Sequence, residues 1–509
     1  MGFGSAAALV VLLGPAAATA PSRVFAAPVI VDKSPANSTG EPSIDVAPDG
    51  AIYIAAPDGP GVRTPSALGA AGVGGSLLWR SDDRGVHWKF LGSYDVPTGG
   101  GDADVVVAPN GTVYGSGLSY VACSTVSTST DRGETFLPVP IAGCGQVPIS
   151  NDREWNALDG NDTLFTVIGD TFGGSIELIR SVVDRPVVIP SQQIPLTGST
   201  NYEWPGTVVV DKHSGMTYTV WQTTGDPDNC DDNKCTVPAS SKTPDRIMIS
   251  ALPRGATTAP APIEVASRTF DTFDSFVANA VDRAGRIYVV WSERHPAQGQ
   301  TWTMLASSGD AGKHWTRPVK VNRGPLTTTF AWVSAGDAGR IAVSYYGTSG
   351  GGNSPQRVDK GARWQVYSAF STDGGKTFSE YRTTKDMNTG RICTSGTGCS
   401  AGGRNLLDFF ETAVDTHGCL VTTFTDNSSG TPYVAFVRQS GGPGLLRSTS
   451  CGPAAVPATT RRAHGPSGQP STRGGGSLAA TGVPDSVVLA VVPVLAAGLL
   501  LRRRLRTAA

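Results

Sequence analysis

The chain has 509 residues, only 16% of them charged, and 41 basic against 42 acidic side chains leave a formal net charge of -1. With no basic stripe to neutralise phosphates, the balance argues against nucleic acid as a partner. Gly (63) and Pro (36) are abundant and no long amphipathic helical period appears, which favours many short strands joined by turns.

The N-terminus carries a short apolar run, Ala6 to Gly14, too short to span a bilayer. Small residues follow, and Val24-Phe25-Ala26 before Ala27 has the form of a cleavage site. Residues 1–26 therefore read as an export signal, with a buried apolar strand as the other reading.

From there an alternating strand, a Gly or Asp/Asn turn and a second strand recur seven times. The copies begin at Glu41, Asp102, Glu154, Trp204, Ser275, Phe330 and Phe409. Each reads as a β-hairpin, because Asp-Gly, Asn-Gly and Ser-Gly supply the positive φ angles of a tight turn. A further strand follows each hairpin. In four units it runs into one tight turn, Ser-x-Asp-x-Gly-x-x-aromatic: Ser81, Asp83, Gly85, Trp88; Ser129, Asp131, Gly133, Phe136; Ser308, Asp310, Gly312, Trp315; and Ser371, Asp373, Gly375, Phe378. Asp can accept turn N–H groups, Gly permits the left-handed conformation, and the aromatic packs on the sheet.

These quartets resemble the Asp-box, or BNR, repeat of sialidase-like β-propellers, over about Ala27 to Cys451. The resemblance implies an all-β fold of seven four-stranded antiparallel blades around a central channel, with two stacked β-sandwiches as the alternative. The last unit lacks an outer strand, while the segment at Ala27 parallels the outer strand at Arg317. Pro28 to Asp32 is therefore expected to complete the last blade and close the ring at residues 27–451.

In such a blade the Asp boxes lie on one face and the blade connections on the other. The connections gather Glu41, Asp102, Asp104, Asp152, Arg153, Glu154, Tyr202, Glu203, Asp271, Asp274, Arg404, Asp408 and Glu411. Converging carboxylates can have raised pKa values and act as acid and base, or can bind sugar hydroxyls. Asp104, Glu154, Glu203, Asp274 and Asp408 are the catalytic candidates; Glu41, Asp102, Arg153, Tyr202, Trp332 and Arg404 are the ligand-binding candidates. Phe273, Phe330, Trp332, Phe409 and Phe410 interleave with the acids, and Trp332 is the candidate sugar platform. The sialidases of the resembling family use three clamping arginines, one of them in a Phe/Tyr-Arg-Ile-Pro motif. The corresponding stretch here, "STGEPSIDV", has Glu41 instead. A sialic acid substrate is not expected.

The eight cysteines suggest neighbouring pairs: Cys123 with Cys144, Cys230 with Cys235, Cys393 with Cys399, and Cys419 with Cys451. No metal site is expected. The acidic loop Asp226 to Asp232 could hold Ca²⁺ but lacks the Gly and terminal Glu of an EF-hand, and a solvated loop is the other reading. No cofactor is required.

Residues 452–477 are rich in Pro, Gly, Ser and Thr and read as a disordered spacer. Residues 478–509 contain "LAATG", an apolar segment from Val487 to Leu501, and the basic cluster from Arg502. This arrangement resembles a sortase cell-wall sorting signal of Gram-positive bacteria, with cleavage between Thr481 and Gly482 and linkage to peptidoglycan; a plain transmembrane anchor is the alternative. The expectation is a secreted, wall-anchored, monomeric propeller binding an extracellular glycan or surface protein at its acidic, aromatic-bearing face. A secreted two-carboxylate glycoside hydrolase is the competing class, and a purely structural surface protein is the third.

Overall fold

A computed structural model of the chain describes residues 22–58, 75–95, 101–118, 124–142, 151–170, 175–184, 186–197, 202–224, 245–268, 276–394, 399 and 403–452. The export-signal core, the spacer, the sorting-signal segment, the Asp226–Asp232 loop and Cys123, Cys144, Cys230 and Cys235 lie outside them. Among the described residues no helix is long and apolar enough to cross a membrane.

Strands dominate, and short hairpins build four-stranded sheets. Alternation puts Val, Ile, Leu and aromatic side chains on both faces of each sheet, so neighbouring sheets share apolar layers. One layer joins Tyr218, Ile249 and Trp291, and the next joins Tyr288, Val333 and Tyr345. The innermost strands adjoin in chain order, and the last, Thr412–Val414, adjoins the first, Ser43–Val46. This cyclic neighbourhood makes the fold an all-β propeller with four-stranded blades.

The expected seven separate blades are not found. The described strands form six hydrogen-bonded sheets, four of four strands, one of six and one of nine. Five of these sheets follow a single four-strand path of the blade kind, whereas the strands from Ala278–Val281 to Asn388–Thr389 run as one nine-stranded sheet. The join is a parallel pairing of Thr301 with Thr327. Its cause is a short outer strand: Val319–Lys320 covers only Met304 and Leu305, leaving the front end of Gln300–Ser308 open to its neighbour.

The two ends of the described fold meet in one sheet. Val24–Phe25 and Val29–Ile30 both pair antiparallel with Tyr433–Pro443, Val29 opposite Phe436 and Ile30 opposite Ala435. Ser450–Cys451 pairs with the far end of the same strand, and a Cys419–Cys451 disulfide ties it to the hairpin beside it. Cys393 and Cys399 form the second disulfide among the described residues.

The four Ser-x-Asp-x-Gly turns share one geometry. In the first, Gly85 N donates to Ser81 Oγ at 2.8 Å, Ser81 Oγ donates to Asp83 Oδ1 at 2.9 Å, and His87 N donates to Asp83 Oδ1 at 2.8 Å. Gly85 has φ of 84° and sits on the Phe436 ring, where a Cβ would lie 2.1 Å from Cε1. The aromatic Trp88 meets the same ring edge-on at 5.2 Å. These turns share a face with the inner hairpin turns, since Gly374 N donates to Gly339 O at 3.0 Å and Arg132 lies 3.2 Å from Asp49. The chain therefore enters each innermost strand from the opposite face, called the front below.

Candidate functional site

Irregularities at the front ends of the innermost strands aim the key side chains. The pairing skips a residue between Gly101 and Ala103, at Asp102, and between Asp152 and Glu154, at Arg153. An extra residue in one strand bends it and redirects a side chain. Arg153 (φ 66°) and Glu41 (φ 57°) both adopt left-handed backbone, uncommon for residues with a Cβ.

Arg153 is the hub. Its guanidinium hydrogen-bonds Glu41, reaches Asp408 Oδ2 at 2.7 Å and lies 3.4 Å from Asp102 Oδ1. Asp102 also accepts from Arg153 N at 3.2 Å, so backbone and side chain are held by one carboxylate. Aromatic rings enclose the cation: its centre is 4.1 Å from the Phe276 ring, 5.1 Å from Phe409 and 5.9 Å from Trp155. Arg404 pairs with Asp408 and, with 19% of its side chain exposed against 4% for Arg153, is the more accessible arginine.

Two arginines thus face three carboxyl groups, one acid in surplus. Burial, together with the neighbouring Asp102 and Asp408, pushes Glu41 up to about 8 despite Arg153. Glu41 is therefore the acid of this cluster that burial favours in its protonated form.

Behind this cluster lies a second tier. Ser43 Oγ donates to Asp104 Oδ1 at 2.8 Å, and Asp104 Oδ2 accepts from Asn156 N at 2.7 Å and Nδ2 at 2.9 Å. Glu411 Oε2 accepts from Ile44 N at 3.1 Å, and burial, with Asp104 nearby, pushes its pKa well up. Burial also raises Asp104. Asp104 bridges adjacent innermost strands through these bonds, so it joins the scaffold of the channel wall.

The structure therefore brings together Glu41, Asp102, Arg153, Arg404 and Asp408 and sets Asp104 behind them. Glu154 is buried. Glu203 is half-buried on the neighbouring innermost strand, its pKa raised by burial against hydrogen bonds from Thr197 and Thr223. Tyr202 opens that strand. Trp332, expected as an open platform, stacks on Phe409 at 6.0 Å and lies 6.3 Å from Trp155, so packing takes much of its surface. Phe330 and Phe410 are core residues. Asp271, Phe273 and Asp274 lie outside the described residues. Sequence reasoning missed Trp155 and Phe276 as walls around Arg153; the signal available was the Glu-Trp step at Glu154-Trp155, repeated at Glu203-Trp204.

A cavity of about 880 Å³ opens on the other face, among the ends of the innermost strands. Val46, Val107, Val281 and Val414 line it, with Lys212 and His213. Its carboxylates are engaged in structure: Asp45 accepts from Val46 N and Val107 N, and Asp415 accepts from His417 N, Cys419 N and Arg84. Among the described residues no group of three or more His, Cys, Asp or Glu side chains converges to hold a metal.

No protein-family model matches the chain, and no curated protein does. Solved structures of similar path include a protein of unknown function from Dyadobacter fermentans, with 13% identity, TM-score 0.45, and coverage of 82% of this chain and 98% of that one. Another is a Penicillium chrysogenum α-L-arabinanase complexed with arabinobiose, at 14% identity and TM-score 0.42, covering 70% of this chain and 99% of the other. A leech intramolecular trans-sialidase shows 10% identity and TM-score 0.40 over 83% of this chain and 70% of its own. The functional reading accordingly rests on this chain's own residues.

Proposed function

We propose that the protein is a carbohydrate-recognising propeller of the cell exterior, binding a neutral glycan at the front mouth of its channel. The observation that carries this reading is the engagement of Arg153 and Arg404 by carboxylates that outnumber them. Among the described residues of this cluster both arginines are committed to carboxylates and form no clamp for an anionic sugar, whereas carboxylates beside aromatic rings suit hydroxyls and apolar sugar faces. Export through residues 1–26 and wall attachment through residues 478–509 belong to the same proposal, and rest on sequence pattern.

Titration calorimetry against neutral oligosaccharides and a sialoside tests it. Binding of a neutral glycan, weakened in Asp408→Asn, supports the reading. Exclusive binding of the sialoside, or no binding at all, overturns it.

Glu41 favours a second reading. Burial and the neighbouring acids favour the protonated form of Glu41, and a carboxylic acid of that kind is the proton donor that glycoside hydrolysis uses. Turnover of a chromogenic glycoside by the wild type, abolished in Glu41→Gln, would select it.

A further inference from the structure

Cleavage after Ala26 would discard residues 22–26, yet these residues are built into the last sheet. Val24 pairs with Gly441 and Phe25 with Gln439. Ala26 N donates to Arg438 O at 3.0 Å, and Arg23 Nε donates to Pro443 O at 2.9 Å. The side chains fit as closely as the backbone. The Arg23 guanidinium lies 4.1 Å from the centre of the Phe370 ring, and the Phe25 ring packs on the same ring at 6.2 Å. Phe370 belongs to Arg363–Ser371 of the nine-stranded sheet, so Arg23 and Phe25 hold two sheets together.

The receiving strand is shaped for this segment. Gly442 has φ of 78°, and a Cβ there would lie 2.7 Å from Ser22 O. A Cβ on Gly441 would lie 3.0 Å from Val24 Cβ. Without the segment, residues 439–441 would lose their antiparallel partner on that side and Phe370 would lose two of its ring contacts. A leader that is cut away has no need of matched pairing, an aromatic anchor and a cation over a ring. A strand of the mature protein has.

The sequence offers another cut. Ala16-Ala17-Ala18 comes just after the apolar run and has the small-residue form of a leader cleavage site. The neighbouring step after Ala20 is followed by Pro21, which has no backbone N–H.

We infer that the leader is cut within residues 16–20, so that the mature protein begins at or close to Thr19 and keeps residues 23–26 as the segment that closes its last sheet. This rests on the export reading above and moves its boundary away from Ala26.

The test is N-terminal sequencing and intact mass of the full chain exported from a Gram-positive host, with melting curves of chains begun at Thr19 and at Ala27 and secreted behind a foreign leader. The expected result is a new N-terminus ahead of Arg23, and a Tm lower by at least about 3 °C in the chain begun at Ala27. Phe25→Ser in the longer chain should show part of the same shift, since it removes the ring contact and keeps the pairing. An exported protein that starts at Arg23 or later, or equal melting of all three chains, overturns the inference and leaves export standing. A chain that keeps Met1 removes the export reading and this inference together.

Discussion

Arg153 Nη2 lies 2.7 Å from Asp408 Oδ2 although 255 residues separate them in the chain. The same guanidinium reaches Glu41, just ahead of the strand Ser43–Val46, so one side chain ties distant parts of the ring together. Removing it takes the guanidinium away from Glu41 and Asp102 and leaves Asp408 with Arg404. Arg153→Ala is expected to cost about 3–5 kcal/mol, the usual penalty for breaking a buried ion pair on one side. Urea unfolding measures it; a loss below about 1 kcal/mol would show that the cluster relaxes without its hub.

Glu41 makes the opposite prediction. Its pKa in the folded protein is raised to about 8 from an ordinary 4.5, so the folded state holds the proton more tightly than the unfolded chain. Stability from this group is complete below pH 4.5 and declines as pH rises towards about 8. Glu41→Gln mimics the protonated acid and should flatten the melting temperature between those limits, while costing within about 1 kcal/mol near neutrality. Parallel wild-type and variant profiles from pH 5 to 9 would refute this reading of Glu41.

The Asp373 turn titrates with the reverse sign. Asp373 accepts from Lys376 N and Thr377 N, each at 3.0 Å, and its pKa is lowered to about 2, with those amides and the hydroxyls of Thr377 and Ser371 outweighing burial. Its contribution is present above the ordinary 3.8 and is lost as pH falls towards about 2. Asp373→Ala should destabilise by about 0.5–1.5 kcal/mol at neutral pH, solvent screening the exposed turn, and leave glycan affinity unchanged, because this turn is on the face remote from Arg153. A change in affinity at unchanged stability would give the turn a role in binding.

The disulfides should differ in weight. Cys419–Cys451 closes a separation of 32 residues and Cys393–Cys399 one of 6. On the loop-entropy account, Cys451→Ser should cost about 4 kcal/mol and Cys399→Ser about 2 kcal/mol. Thermal melts of the two variants, compared without reductant, rank them; equal losses would contradict the chain-entropy explanation.

Much of the scaffold was legible because it is local. Ser371, Asp373 and Gly375 fall within five residues, and their hydrogen bonds run within that turn, so spacing alone reveals them. Cys393 and Cys399 were equally readable. The front cluster was legible only as a pool of acids, since Glu41, Arg153 and Asp408 meet through a ring closure that no local spacing encodes. The merging of two expected blades was hidden for a similar reason: it turns on how little of Gln300–Ser308 the two-residue strand Val319–Lys320 covers. Trp332 packs on Phe409 while Trp204 meets solvent, a difference that composition does not carry.

Val29 and Ile30 find their partners only at Phe436 and Ala435, near the other end of the described fold. During synthesis the opening segment must therefore wait, unmatched, until nearly all of the circle has been made. A chain stopped before Tyr433 would hold a ring with an unpaired sheet edge, an invitation to the wrong neighbour. Completion of the circle is thus a quality mark that the molecule acquires last, and only whole copies can acquire it.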